Sequence, residues 1–171
     1  MSNAWITRAE NNADIPIVRE INSAAFPTAE EADLVDALRS DQTAWIDALS
    51  IVAADHTGTL IGHALLTRCH IGETPALCLG PCAVRPSQQS SRGAGSAAIR
   101  AALQAAIEVG ERYVVVLGHS DYYPRFGFGR ASTHGIGVPF KVPDESLMAL
   151  SLNANDPLPS GTVRYAAAFG I

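Results

Sequence analysis

The chain has no basic excess. Lys and Arg number 12 against 17 Asp and Glu, for a formal net charge of −5. Nucleic-acid-binding surfaces usually rest on such an excess, so no nucleic-acid partner is expected. No apolar run approaches the roughly 18 residues that span a bilayer, so no membrane partner is expected either. The start, Met1-Ser2-Asn3-Ala4-Trp5, lacks a basic segment followed by an apolar stretch, and no secretory signal is read there. Cysteine is scarce. Cys69, Cys78 and Cys82 are odd in number and few, which fits a reducing compartment, the cytoplasm, better than a disulfide framework. Their spacing matches no zinc motif, so no metal is expected. The serines lack a nucleophile-elbow context such as G-x-S-x-G. No internal repeat and no domain-separating linker is visible.

What remains is an ordinary globular composition, 47% hydrophobic and 17% charged over 171 residues. One domain over residues 1–171 is expected. Ser2-Asn3-Ala4 has the look of a vector scar, and residues 1–4 are read as a tag or a disordered end.

The elements follow from periodicity and punctuation. Asp14 is an N-cap candidate with Pro16 in the first turn behind it, and Val18, Ile21 and Ala25 recur at helical spacing up to Pro27. Thr28-Ala29-Glu30-Glu31 reads as a capping box for a second helix carrying Leu34, Val35 and Leu38. Ser50 to Ala54 and Thr59 to Ile71 read as an antiparallel hairpin around Asp55-His56-Thr57-Gly58. A further strand runs from Ala76 to Val84. Gly80-Pro81 inside it predicts a bulge or splay, because proline cannot donate to a ladder. Gly93 to Val109 reads as a helix with Ile99, Leu103 and Ile107 as its buried stripe, ended by Gly110. Tyr113 to Leu117 is a β-branched buried strand. Tyr122 to Phe128 leaves room for a short helical turn. Leu147 to Leu152 and Thr162 to Phe169 read as further strands, so residues 131–171 complete the sheet. The expected fold class is α/β (α+β type): a mixed, mostly antiparallel central sheet with helices on both faces and splayed central strands.

The segment richest in chemistry is Val84-Arg85-Pro86-Ser87-Gln88-Gln89-Ser90-Ser91-Arg92-Gly93-Ala94-Gly95-Ser96. A strand enters a Gly-rich turn that opens a helix, whose unpaired N–H groups and positive dipole end suit a phosphate. Glycine allows close approach of a ligand to the backbone, and Arg92 adds a charged donor. The same glycines also suit a helix start packed tightly on its neighbours, and spacing alone does not choose. Gly93-Ala94-Gly95-Ser96-Ala97-Ala98 fits G-x-G-x-x-A, but the acidic residue of a dinucleotide site is missing at the end of the next strand. No Lys follows the glycines, so the Walker pattern is absent.

Several motifs, in order and spacing, resemble the GCN5-related N-acetyltransferases, and more closely the bacterial N-acetyltransferases of the YhbS-like group. They are Leu79-Gly80-Pro81-Cys82-Ala83-Val84-Arg85-Pro86, Gly93-Ala94-Gly95-Ser96, Val114-Val115-Val116-Leu117-Gly118-His119, Tyr122-Tyr123-Pro124-Arg125-Phe126-Gly127-Phe128 and Val142-Pro143-Asp144-Glu145. The family's pyrophosphate loop is Q/R-x-x-G-x-G/A. Here Gln89 stands four residues before Gly93 rather than three, so the loop reads one residue longer.

The resemblance implies acetyl transfer from acetyl-CoA to a primary amine, on a small molecule or a protein, by direct attack in a ternary complex. Backbone groups at Cys82, Ala83 and Val84 would pair with the pantetheine arm, and an N–H there would hold the developing oxyanion. Gln89, Ser91, Arg92, Gly93, Ala94, Gly95 and Ser96 would surround the pyrophosphate. Tyr123 matches the general acid that protonates the departing thiolate. The residues alone also allow Tyr123 a packing role beside Phe126 and Phe128. The base is open among Glu30, Glu31, which has the capping job, His119 and a water chain. The lengthened loop keeps a second reading, a catalytically degenerate acyl-CoA-binding regulatory module. Exposed edges of the C-terminal strands leave room for a homodimer.

Overall fold

The computed structural model describes residues 5–86 and 93–171. The expectations for Gln89, Ser91, Arg92 and residues 1–4 lie outside that range.

Nine strands and three α-helices are described. In chain order they are β1 (Ile6–Ala9), α1 (Ile15–Ala25), α2 (Glu30–Arg39), β2 (Ser50–Ala54), β3 (Leu60–Ile71), β4 (Thr74–Val84), α3 (Ala94–Glu108) and β5 (Tyr113–Leu117). The rest are β6 (Gly129–Arg130), β7 (Ile136–Gly137), β8 (Leu147–Ser151) and β9 (Gly161–Arg164). The sheet order is β1-β2-β3-β4-β5-β8-β6, and along it only the β4–β5 pair is parallel. This is the expected mixed, mostly antiparallel sheet. β9 pairs with the far end of β3 and with β7.

Helices cover both faces, and the pleat of the strands decides which residue meets which. Ile51, Ala53, Ala64, Leu66, Leu77, Val114 and Val116 face α3, where Ala98, Ile99, Ala102 and Leu103 pack on them. The alternate residues Val52, Ala54 and Leu65 face α1 and α2, meeting Val18, Ile21, Val35 and Leu38. Val115 turns away from α3 into a third cluster with Leu147, Ala149 and Val163. A β-branched run buried on two faces is what a central strand requires.

Several local expectations change. Ile107 is 47% exposed; the buried stripe of α3 runs instead through Ala98, Ala102 and Ala106. Small side chains there bring the helix close to the sheet and turn the final large residue outward. Asp14 does not cap α1 with its side chain. Its carboxylate takes a paired contact from Arg8 at 2.6 and 3.1 Å and the Asn11 N–H at 2.8 Å, closing the short turn before the helix. The capping box at Thr28 is absent. Ala29 is the N-cap of α2, and Thr28 Oγ1 accepts only a 3.3 Å bond from the Glu30 N–H. The strand expected over 162–169 ends at Arg164, and Ala167–Phe169 forms a single 3₁₀ turn. β1 was not read at all: it is an edge strand with little burial, so no alternation marks it.

Candidate active site

β4 and β5 run side by side only from Leu77–Val114 to Leu79–Val116. Beyond that the two strands part. The cause lies in β4. Ala64 faces Cys82 and Leu66 faces Leu79, so the single residue Leu65 stands opposite both Gly80 and Pro81. That extra residue is a β-bulge, placed where the proline predicted one. It bends β4 away from β5 and opens a cleft.

The strand beyond the bulge shows its peptide groups to the cleft in alternation. The Arg85 N–H bonds to the Ile61 carbonyl at 2.8 Å, which makes Gly62–Val84 a non-bonded pair of the ladder. Two residues back, Ala64–Cys82 is of the same kind. The N–H and C=O of Cys82 and Val84 therefore point away from β3, toward the space β5 has vacated. Ala83 departs from the expectation: it pairs with His63, spends its peptide groups on β3, and buries its side chain toward α1 and α2.

At the mouth of the cleft stands the start of α3. Gly93 has φ of +85°, a conformation that favours glycine, and no side chain among the described residues caps the helix. The first intrahelical bond is made by the Ala97 N–H to the Gly93 carbonyl, which leaves the amides of Ala94, Gly95 and Ser96 without helical partners. Gly95 sits against β4 so closely that a β-carbon would stand 2.9 Å from Val84 Cγ2. Ser96 Oγ lies 3.0 Å from the Tyr122 hydroxyl.

Tyr123 lies in the 3₁₀ turn Tyr123–Phe126, which follows β5 and is held by bonds from the Tyr122 and Tyr123 N–H groups to the His119 carbonyl. Its ring meets Phe128 edge-on at 6.0 Å and Tyr122 at 5.1 Å. Desolvation, with smaller effects from Cys82 and Tyr122, pushes the phenol well above its usual value, so it keeps its proton at neutral pH. Desolvation likewise pushes the Cys82 thiol up to about 12, against a smaller opposing bond from the Leu65 backbone. Cys82 is therefore no thiolate nucleophile. His119 is exposed and does not line the cavity that Tyr123 lines.

That cavity, about 310 Å³, opens at the bulge. Gly80, Pro81, Cys82 and Tyr123 form one side, and Phe26, Glu31, Leu34, Phe140, Tyr165 and Phe169 the other. Of the second set, the sequence marks Leu34 as part of the apolar face of α2 and Glu31 as both a capping residue and a candidate for the base; the aromatic residues carry no such mark. Among the described residues no cluster of three or more His, Cys, Asp or Glu is placed to hold a metal, and no helix is long and apolar enough to cross a membrane.

A bulged strand parts from its parallel neighbour here, with a helix start at the mouth and the Tyr123 phenol beside it. The model of the Acetyltransferase (GNAT) family matches residues 15–128, and the chain belongs to that family. It is 37% identical over 164 residues to the uncharacterized N-acetyltransferase YjhQ of Escherichia coli K12, covering 91% of this chain and 89% of that one. Among solved structures, the GNAT family N-acetyltransferase YhbS of Escherichia coli, in complex with CoA, has a TM-score of 0.88 at 26% identity. That match covers 100% of this chain and 94% of YhbS. A GNAT family acetyltransferase of Brucella melitensis in complex with acetyl-CoA has a TM-score of 0.75 at 29% identity, over 98% and 99% of the two chains.

Proposed function

We propose that the protein transfers the acetyl group of acetyl-CoA to a primary amine, which attacks directly without an enzyme nucleophile. The observation that carries this reading is the opening of β4 from β5 at the Gly80–Pro81 bulge, with Tyr123 beside it. The residues present suit the co-substrate. The peptide groups of Cys82 and Val84 offer donors and acceptors to an amide-bearing arm lying in the cleft. The amides of Ala94, Gly95 and Ser96, at the positive end of α3, suit a pyrophosphate. Acetyl-CoA, when bound, supplies its acetyl group as an activated thioester. A cleft-facing N–H of β4 polarises the carbonyl oxygen, and Tyr123 holds a proton at its hydroxyl for the departing sulfur. Three free cysteines fit a place in the cytoplasm.

Calorimetric titration with acetyl-CoA, using NAD as the control, tests the reading, followed by an amine-dependent assay for released CoA. Saturable acetyl-CoA binding without NAD binding, and CoA release with amines, are expected. Binding without release under any amine would favour a regulatory acyl-CoA-binding module. No acetyl-CoA binding would overturn both.

A further inference from the structure

Glu31 is the one acidic side chain among the described residues that line the cavity, and its Oε1 is buried without a hydrogen-bond partner among them. A buried carboxylate oxygen lacking a donor is costly, and on a cavity wall it is placed to be satisfied by a water or by a ligand that donates to it. Nothing local explains it, because Ala29 caps α2 and Glu31 makes no capping bond. Among the described residues no Lys, Arg or His side chain lines the cavity.

The surroundings of Glu31 are apolar and aromatic. Tyr165 contacts Phe140 at a ring separation of 6.1 Å and Phe169 at 5.4 Å, which makes a continuous aromatic wall. Such faces attract a cation as well as an apolar body. Of the other three acids of α2, Glu30 does not line the cavity, and the remaining two are committed elsewhere. Asp33 holds Arg19 at 2.9 Å, and Asp36 holds Arg19 at 2.6 Å and Arg39 at 3.0 Å. Among the described residues the cavity thus offers one acidic side chain, and its volume lies at the low end of ligand pockets, about 300–1,000 Å³.

We propose that Glu31 is the ammonium site of the acceptor, and that the acceptor is a small monoamine on an aromatic or branched apolar body. This rests on the acetyltransferase reading above, since Tyr123 lines the same cavity. Glu31 fixes the charged end, the aromatic wall takes the body, and polyamines are disfavoured because a second ammonium finds no second acidic side chain and would lie against that apolar wall. Aminoglycosides are disfavoured on the same ground and because their hydroxyls would face apolar walls.

The test titrates three probes into the CoA-saturated protein: 2-phenylethylamine, its neutral counterpart 2-phenylethanol, and spermidine. The proteins are wild type, Glu31→Gln, and Glu30→Gln as the neighbouring control. We expect 2-phenylethylamine to bind wild type at least tenfold more tightly than either other probe. Glu31→Gln should weaken it about 10- to 100-fold while leaving 2-phenylethanol alone, and Glu30→Gln should change neither. The melting temperature of Glu31→Gln should hold or rise, since an unpaired carboxylate is lost; a structural role would lower it. In turnover, the amine KM should rise by the same factor with acetyl-CoA KM unchanged. Equal binding of amine and alcohol to wild type, tighter binding of spermidine, or unchanged amine affinity in Glu31→Gln would overturn the proposal. The first two outcomes need no variant to fold. Acetyl-CoA titration of the same samples reads the acetyltransferase assignment separately. If it fails, the probes are titrated into the CoA-free protein, where the Glu31 comparison still decides.

Discussion

The ring of Tyr123 rests directly on the α-carbon of Gly118, so that a β-carbon at position 118 would overlap the ring edge. The glycine at the end of β5 is therefore a positioning device for the phenol. Gly118→Ala should push Tyr123 out of line with little effect on the sheet, because residue 118 lies beyond the last paired residue of β5. A displacement of about 1 Å at a proton donor can cost 100-fold. The expected outcome is a fall in kcat of about 10- to 100-fold with acetyl-CoA affinity within a few-fold of wild type. Steady-state kinetics beside calorimetry checks it, and an unchanged kcat would remove Tyr123 from the chemistry.

Adjacent tyrosines do different work. Tyr122 joins Ser96 at the start of α3, whereas Tyr123 lines the cavity. Tyr123→Phe keeps the ring contacts and removes the proton. It should lower kcat by roughly 100-fold or more, the usual worth of a general acid, while acetyl-CoA affinity holds. Tyr122→Phe should show the reverse pattern, a few-fold loss of acetyl-CoA affinity with kcat nearly intact. Equal loss of both quantities in Tyr123→Phe would mean that the ring only packs.

The legible parts of the sequence were those governed by neighbours a few residues away. β2, β3, α3 and its Gly110 cap follow from periodicity and turn chemistry, and the bulge follows from one proline in a strand. The proposed co-substrate side was legible as a candidate for the same reason, since Cys82, Val84 and Gly93 to Ser96 lie on one strand–loop–helix run. The proposed acceptor side was legible only at Glu31, one of the candidates for the base. Phe26, Glu31, Phe140, Tyr165 and Phe169 come from distant segments and meet only through the sheet. Glu31 misled because its spacing from Thr28 fits a capping box, and only the fold shows Ala29 in that place. Ile107 misled because apolar spacing counts residues without counting how much face the neighbouring alanines already bury.

His63 gives the protein an acid sensitivity of its own. It is fully buried between Asn22 and Ser50, with Nδ1 3.2 Å from Asn22 Nδ2 and Nε2 2.9 Å from Ser50 Oγ. Ser50 in turn donates to Glu10 at 2.6 Å, so the ring is a neutral tautomer that donates from Nε2. Desolvation, and then the charge of Arg39, push its pKa down to about 3. The unfolded chain binds that proton near pH 6.5, and the folded chain does not until far lower pH. Stability should therefore fall as pH drops below about 6.5, by about 2–3 kcal/mol between pH 7 and 4.5. Asp14 and Asp156, lowered chiefly by bonds from Arg8 and Arg112, lose their contributions mainly below that window. Urea unfolding at pH 7, 6, 5 and 4.5 should show the slope in wild type and its loss in His63→Gln. The same slope in both would assign it to another group.

The seat of α3 on the sheet is the last point at which one residue links fold to function. Gly62 in β3 faces the first turn of the helix, and a β-carbon there would stand 3.2 Å from the Ala94 carbonyl oxygen and 3.4 Å from its Cβ. Backbone cannot swing aside as a side-chain tip can, so the helix start itself must move. Gly62→Val should cost about 1–3 kcal/mol of stability, the usual penalty of overpacking. It should also shift the amides of Ala94, Gly95 and Ser96 together. If these amides hold the pyrophosphate, acetyl-CoA affinity falls at least tenfold in protein that is still folded at the assay temperature. Gly129→Ala, where a β-carbon meets nothing within 4 Å, is the control and should change neither quantity. A Gly62→Val protein that is destabilised yet binds acetyl-CoA as wild type would detach the helix start from phosphate binding, and leave the cleft-facing groups of β4 as the main hold on the co-substrate.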